Sequence, residues 1–180
     1  MSRLLLLLVL AFTAAHTHAE NVAAPSFTLA DSSGHELTLP RSHDGVDIYF
    51  FWASWCPYCK ALMPHLQSIK LEYGDDVRVY ALHIRDDEDP VKFMDELGYD
   101  FLLLPDADPV MTLYGVRPTP ALFLVDGHGL IRFNLYKMIF DDSERFNTMS
   151  HKQRAGQRAP HWSAEIRRNI DQVLEQPDSD

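Results

Sequence analysis

Apolar residues recur along the chain with two periods, and each period predicts its own kind of element. Val46 to Ala53 is almost unbroken apolar and aromatic sequence, as expected of a buried strand. Pro57 to about Tyr73 sets Leu62, Leu66 and Ile69 on one helical face, and Val77 to Ile84 alternates as the next strand. Asp89-Pro90 pairs an N-cap residue with proline at the first helical position, opening a helix to about Leu97. Asp108-Pro109 repeats that signal for a short helix ending near Tyr114-Gly115. Ala121 to Val125 and Leu130 to Leu135 read as strands joined by the turn Asp126-Gly127-His128-Gly129. Ser163 is placed to cap a last amphipathic helix with Ile166, Ile170, Val173 and Leu174 on its apolar face. Near the start, Ala24 to Leu29 and Leu37 to Leu39 predict a hairpin about Asp31-Ser32-Ser33-Gly34. The order predicts an α/β sandwich around a mixed central sheet, with an N-terminal β-hairpin. Lys137 to His161 fits neither period. It is polar, carries Arg145, Lys152, Arg154 and Arg158, and is long for a plain loop, so it reads as an insert before the last helix.

The first residues stand outside both patterns. Arg3 precedes the unbroken apolar run Leu4 to Phe12, and small residues lead to Thr17-His18-Ala19 before Glu20. This is the layout of a secretory signal peptide, and its apolar run is shorter than the roughly 20 residues that cross a bilayer. The expected division is a leader over 1–19 and one domain over 20–180, with export to the periplasm and no membrane insertion after cleavage. At 180 residues, 46% hydrophobic and 23% charged, the chain has room for one ordinary core. The leader contains a single charged residue, Arg3, so the formal charge of −10 becomes −11 in the mature chain. Such an acidic balance argues against nucleic acid as a partner.

Cys56 and Cys59 are the only cysteines, and they lie where the buried strand gives way to the helix. A structural disulfide over so small a loop would contribute only about 2 kcal/mol. A zinc site wants four ligands and finds no second cysteine pair. Two free thiols would not persist in an oxidising compartment. A redox pair has a mechanism. Cys56 at a helix N-terminus faces unpaired N–H groups and the positive end of the dipole, which favour the thiolate. At an unperturbed pKa near 8.5 only about 3% of a thiol is ionised at pH 7. Cys59, one turn later, is placed to attack a mixed disulfide on Cys56 and release the product.

The stretch Phe51-Trp52-Ala53-Ser54-Trp55-Cys56-Pro57-Tyr58-Cys59-Lys60, with Pro64 after it, resembles the active-site strand and helix of thioredoxins. Tyr114-Gly115-Val116-Arg117-Pro118-Thr119-Pro120 before Ala121 to Asp126 is similar to the second signature of that fold. The hairpin with Phe27, Leu29, Asp31 and Gly34 resembles the exported TlpA/ResA-like branch. The resemblance implies a thioredoxin fold and a thiol–disulfide oxidoreductase without a cofactor, acting on protein thiols and disulfides and served by a redox partner protein. It implies a cis bond at Thr119–Pro120 facing the cysteines, with Trp55, Thr119 and Pro120 shaping the substrate site. Where thioredoxin has a buried Asp, this chain has Phe50, so a proton acceptor for Cys59 must come from elsewhere. The acidic residue that the TlpA/ResA-like branch carries after the next strand maps onto Asp86, which on its residues alone also reads as a solvated loop charge.

Two other readings stay open. The same cysteines, with Met63 and His65 or His83, could form the soft-ligand site of a copper chaperone. The chain could also be an idle interaction domain of the same fold. The direction of electron flow is not specified by Pro57-Tyr58 between the cysteines.

Overall fold

Val46 to Trp52 forms strand β4, every residue of which is buried. In this computed structural model the described residues are 22–139 and 148–175; the predicted leader and residues 140–147 of the predicted insert lie outside them. Around β4 the main sheet has six strands: β1 (Val22–Ala23), β8 (Leu130–Asn134), β7 (Ala121–Asp126), β4, β5 (Val77–His83) and β6 (Leu102–Leu104), in that spatial order. The β4, β5 and β6 neighbours are parallel, whereas β7 is antiparallel to both β4 and β8, and β1 is antiparallel to β8. Strands β2 (Phe27–Ala30) and β3 (Glu36–Leu39) make the expected hairpin as a separate two-stranded sheet.

Side-chain alternation along β4 divides the core in two. Val46, Ile48, Phe50 and Trp52 face α1 (Pro57–Tyr73) and α5 (His151–Leu174), and Met94 of α2 (Pro90–Leu97) joins that layer. Tyr49 and Phe51 face the hairpin and α3 (Asp108–Leu113), packing with Phe27, Tyr80, Val110 and Tyr114. The parallel β4–α1–β5 unit leaves the C-terminal end of β4 and the first turn of α1 at one edge of the sheet. Ligand and reaction sites in α/β sheets gather at that edge.

Three elements differ from the sequence expectation. Ser163 is not a cap: it is 2% exposed in the middle of α5, which begins at His151. The cap is Ser150, in a capping box with Gln153, and it carries the helix through Pro160. Gly156, four residues before that proline, has open space where a side chain would stand. Residues 151–161 of the predicted insert are therefore helix, and Tyr136–Ile139 forms the short α4. Asp108 is the first residue of α3, whose N-cap is Ala107. Its carboxylate accepts instead from the Arg85 N–H at 3.2 and 3.3 Å.

Candidate redox site

Cys56 is the N-cap of α1, and its Sγ accepts the Cys59 N–H at 3.1 Å. Proline follows at the first helical position, where its missing N–H costs nothing. The two cysteines are joined as a disulfide. Cys56 is 2% exposed and Cys59 fully buried. Both sit in the α1/α5 layer of the core with Phe50, Trp52 and Met63. Phe50 thus places a ring where a titratable group would serve Cys59. The buried carboxylate on β4 is Asp47, at the other end of the strand and on the other face, where it lies 2.9 Å from His43 Nε2. Burial pushes the Asp47 carboxyl up, partly offset by His43 and Arg78.

The loop before Cys56 is strapped to the loop after β5. The Ile84 N–H donates to Trp52 O at 3.0 Å, the Ser54 N–H to Asp86 Oδ2, and Trp55 Nε1 to Arg85 O at 2.8 Å. Arg85 takes a left-handed conformation, φ 51°, held by the Asp108 carboxylate on its N–H. Asp86 provides the one strap made by a side-chain acceptor. Its side chain is 3% exposed and lies 3.1 Å from His83 Nε2, and its Oδ1 accepts the Glu88 N–H at 3.2 Å. Burial pushes the Asp86 carboxyl up, but contacts from Ser54, the Glu88 N–H and His83 outweigh it and hold the group below the usual carboxylate range. Asp86 is not a solvated loop charge.

Trp55 is 55% exposed at the rim. Thr119–Pro120 is a cis bond, and Pro120 leads directly into β7. The loop before it is held by Tyr136, whose hydroxyl donates to Pro118 O at 2.6 Å and accepts the Arg117 N–H at 3.1 Å. Burial pushes the Tyr136 hydroxyl up, which keeps it a donor. Tyr58, between the cysteines, packs against Trp162 with ring centroids 6.1 Å apart.

Ser54, Arg85 and Tyr136 were not singled out as site residues from the sequence, and His83 was named only as an alternative copper ligand. Ser54 and Arg85 act through backbone groups, which leave no trace in residue identity. His83 three residues before Asp86 was the one available signal. Among the described residues no three His, Cys, Asp or Glu side chains gather at metal-binding range. Among them, too, no helix is long and apolar enough to cross a membrane.

This geometry is joined by a family match over residues 21–134. The chain belongs to the AhpC/TSA family. It is 33% identical over 112 residues to the thiol-disulfide oxidoreductase ResA of Halalkalibacterium halodurans, covering 60% of this chain and 63% of that one. It is 31% identical over 125 residues to the ResA of Geobacillus kaustophilus, covering 67% of this chain and 71% of that one. The match therefore spans between three fifths and three quarters of these relatives' lengths. The thioredoxin domain of a Bacteroides vulgatus thiol-disulfide oxidoreductase superposes with a TM-score of 0.58 at 24% identity, over 64% of this chain and 87% of that one. The thioredoxin fold is thereby established, and with it a place among the thioredoxin-like, ResA-type members of the family.

Proposed function

We propose that this protein is an exported thiol–disulfide oxidoreductase that works on protein cysteines in the periplasm. The observation that carries the reading is the Cys56–Cys59 disulfide at the mouth of α1, with Cys56 Sγ accepting the Cys59 N–H. In the reduced protein the same N–H and the helix dipole favour a Cys56 thiolate. That thiolate attacks a substrate disulfide, forming a mixed disulfide and expelling a substrate thiolate, which takes a proton. Cys59 then loses its proton and attacks Cys56 Sγ. The internal disulfide forms, the second substrate thiolate leaves, and two electrons have passed to the substrate. A redox partner protein restores the dithiol by the reverse exchange.

Asp86 is the acceptor through which the Cys59 proton leaves. One observation supports this: its carboxylate is tied to the Ser54 N–H, two residues before Cys56. Trp55, Thr119 and Pro120 line the approach of an extended substrate segment, to which the Thr119 backbone offers pairing groups. The leader over 1–19 would deliver the 20–180 domain to the periplasm. The test is a redox titration of the purified protein in thiol–disulfide buffers. The reading expects one reversible two-electron transition that Cys56→Ser abolishes. A potential of about −270 mV assigns a reductant and one of about −120 mV an oxidant. A disulfide that never equilibrates with the buffer overturns the reading.

A further inference from the structure

The first turns of α5 break a rule of helix electrostatics. The positive end of the dipole lies there and favours acidic side chains, yet the first turn holds no acidic residue. It opens instead with His151 and Lys152, and Arg154 follows. From Thr148 to Ala164 there is no aspartate or glutamate, in a chain whose formal charge is −10. A local cost without a structural gain points to function.

His151 stands beside the redox motif. His151 Nδ1 is 3.3 Å from the Tyr58 hydroxyl, and the two rings stand edge-on with centroids 5.9 Å apart. Tyr58 lies between the two cysteines, so the first residue of α5 touches the turn of α1 that carries the disulfide. His151 and Lys152 are exposed, and Arg154 Nε is buried without a hydrogen-bond partner among the described residues. Trp162 braces the helix start from inside by packing on the other side of the contact with Tyr58. His151, Lys152, Arg154 and Trp162 lie beyond residue 134, where the family match ends.

We propose that the basic start of α5 is a docking wall for the partner protein, receiving acidic side chains that flank the partner's reacting cysteine. The inference rests on the exchange reading above and names the substrate class for that site. Charge complementarity next to the scissile disulfide steers the partner and sets its register. The rest of the protein, being acidic, repels such a partner. A preference for acidic partners can therefore come only from a local basic face.

The test uses two homodimeric peptide disulfides, identical except that glutamates or lysines flank the cysteine. Reduced protein is mixed with each, and release of peptide thiol is timed. Attack by Cys56 and resolution by Cys59 turn one peptide disulfide into two peptide thiols and leave the protein oxidised. The glutamate peptide should react faster, on the order of tenfold at low salt, and the ratio should collapse as salt screens the wall. A His151→Glu/Lys152→Glu variant should reverse the preference. Glutamate in the first turn complements the dipole, so this variant should retain its helix, which circular dichroism checks. The salt dependence of the wild type is a second readout that needs no variant. Equal rates, or faster reaction with the lysine peptide, overturn the inference alone. Equal rates together with binding to phosphatidylglycerol vesicles give the face to a membrane instead and also overturn it. Reaction with neither peptide overturns the exchange reading, and the docking wall with it.

Discussion

Asp86→Asn keeps the shape of the side chain that straps the redox loop and removes its charge. In the wild type Oδ2 accepts the Ser54 N–H beside His83 Nε2, and Oδ1 accepts the Glu88 N–H. An asparagine oxygen can keep one of these donors, but its NH₂ group then confronts the other. Hydrogen bonds to charged groups contribute about 1.5–3 kcal/mol, so losing one should destabilise the oxidised protein by about 2 kcal/mol at neutral pH. The sign of the pH dependence follows from the lowered native pKa. A carboxyl depressed in the native state contributes stability above its unfolded value, about 3.9, and loses it as pH falls through the native value. The gap between wild type and Asp86→Asn should therefore be full between about pH 5 and 7 and close below about pH 4. Urea unfolding of both oxidised proteins across that range measures it. The same variant should slow resolution of the mixed disulfide by on the order of 10²-fold, the scale of a lost general base. A gap under about 0.5 kcal/mol at pH 7 would refute the strap, since that is the range of ordinary surface changes. An unchanged resolution rate would refute the proton-transfer role.

Two further outcomes are expected. Ser150→Ala removes one half of the capping box and should cost about 1 kcal/mol, with amide exchange accelerating in 151–162; unchanged protection there would mean that packing of Trp162 alone sets the helix start. The leader predicts a mature chain beginning at Glu20, so intact mass from a periplasmic fraction should lack residues 1–19; their retention in a membrane pellet would mean an anchor.

The strands and the redox helix were legible because one strong signal governed each. Seven consecutive buried residues in β4 leave no other solution than a central strand. Asp89-Pro90 caps α2 as its residues demand. The start of α5 was not legible for two reasons. Its exposed first turns carry too few apolar residues to mark a period, and Pro160 is a residue that a helix interior rarely holds. Ser163 has the composition of a cap but lies inside the helix, where its Oγ contacts Arg167 Nη1. At the site, the cysteines were readable from their spacing, and the cis proline from the resemblance to thioredoxins. The straps were not: they run through the Ser54 N–H and the Arg85 carbonyl, which any residue could supply. Asp86 was visible only as one of several acids after β5, and its burial, not its identity, separates it from Asp87 and Glu88.

The central claim is that Cys56 attacks and Cys59 resolves, and trapping tests it most directly. Reduced Cys59→Ser is incubated with a disulfide-bearing protein, quenched with acid and alkylated, and the adduct is mapped by peptide mass. The account predicts a stable mixed disulfide on Cys56, because the only thiol that could release it is gone, and no adduct on Cys59 when Cys56→Ser is treated in the same way. A stable adduct on Cys59 in Cys56→Ser, with none on Cys56 in Cys59→Ser, would contradict it.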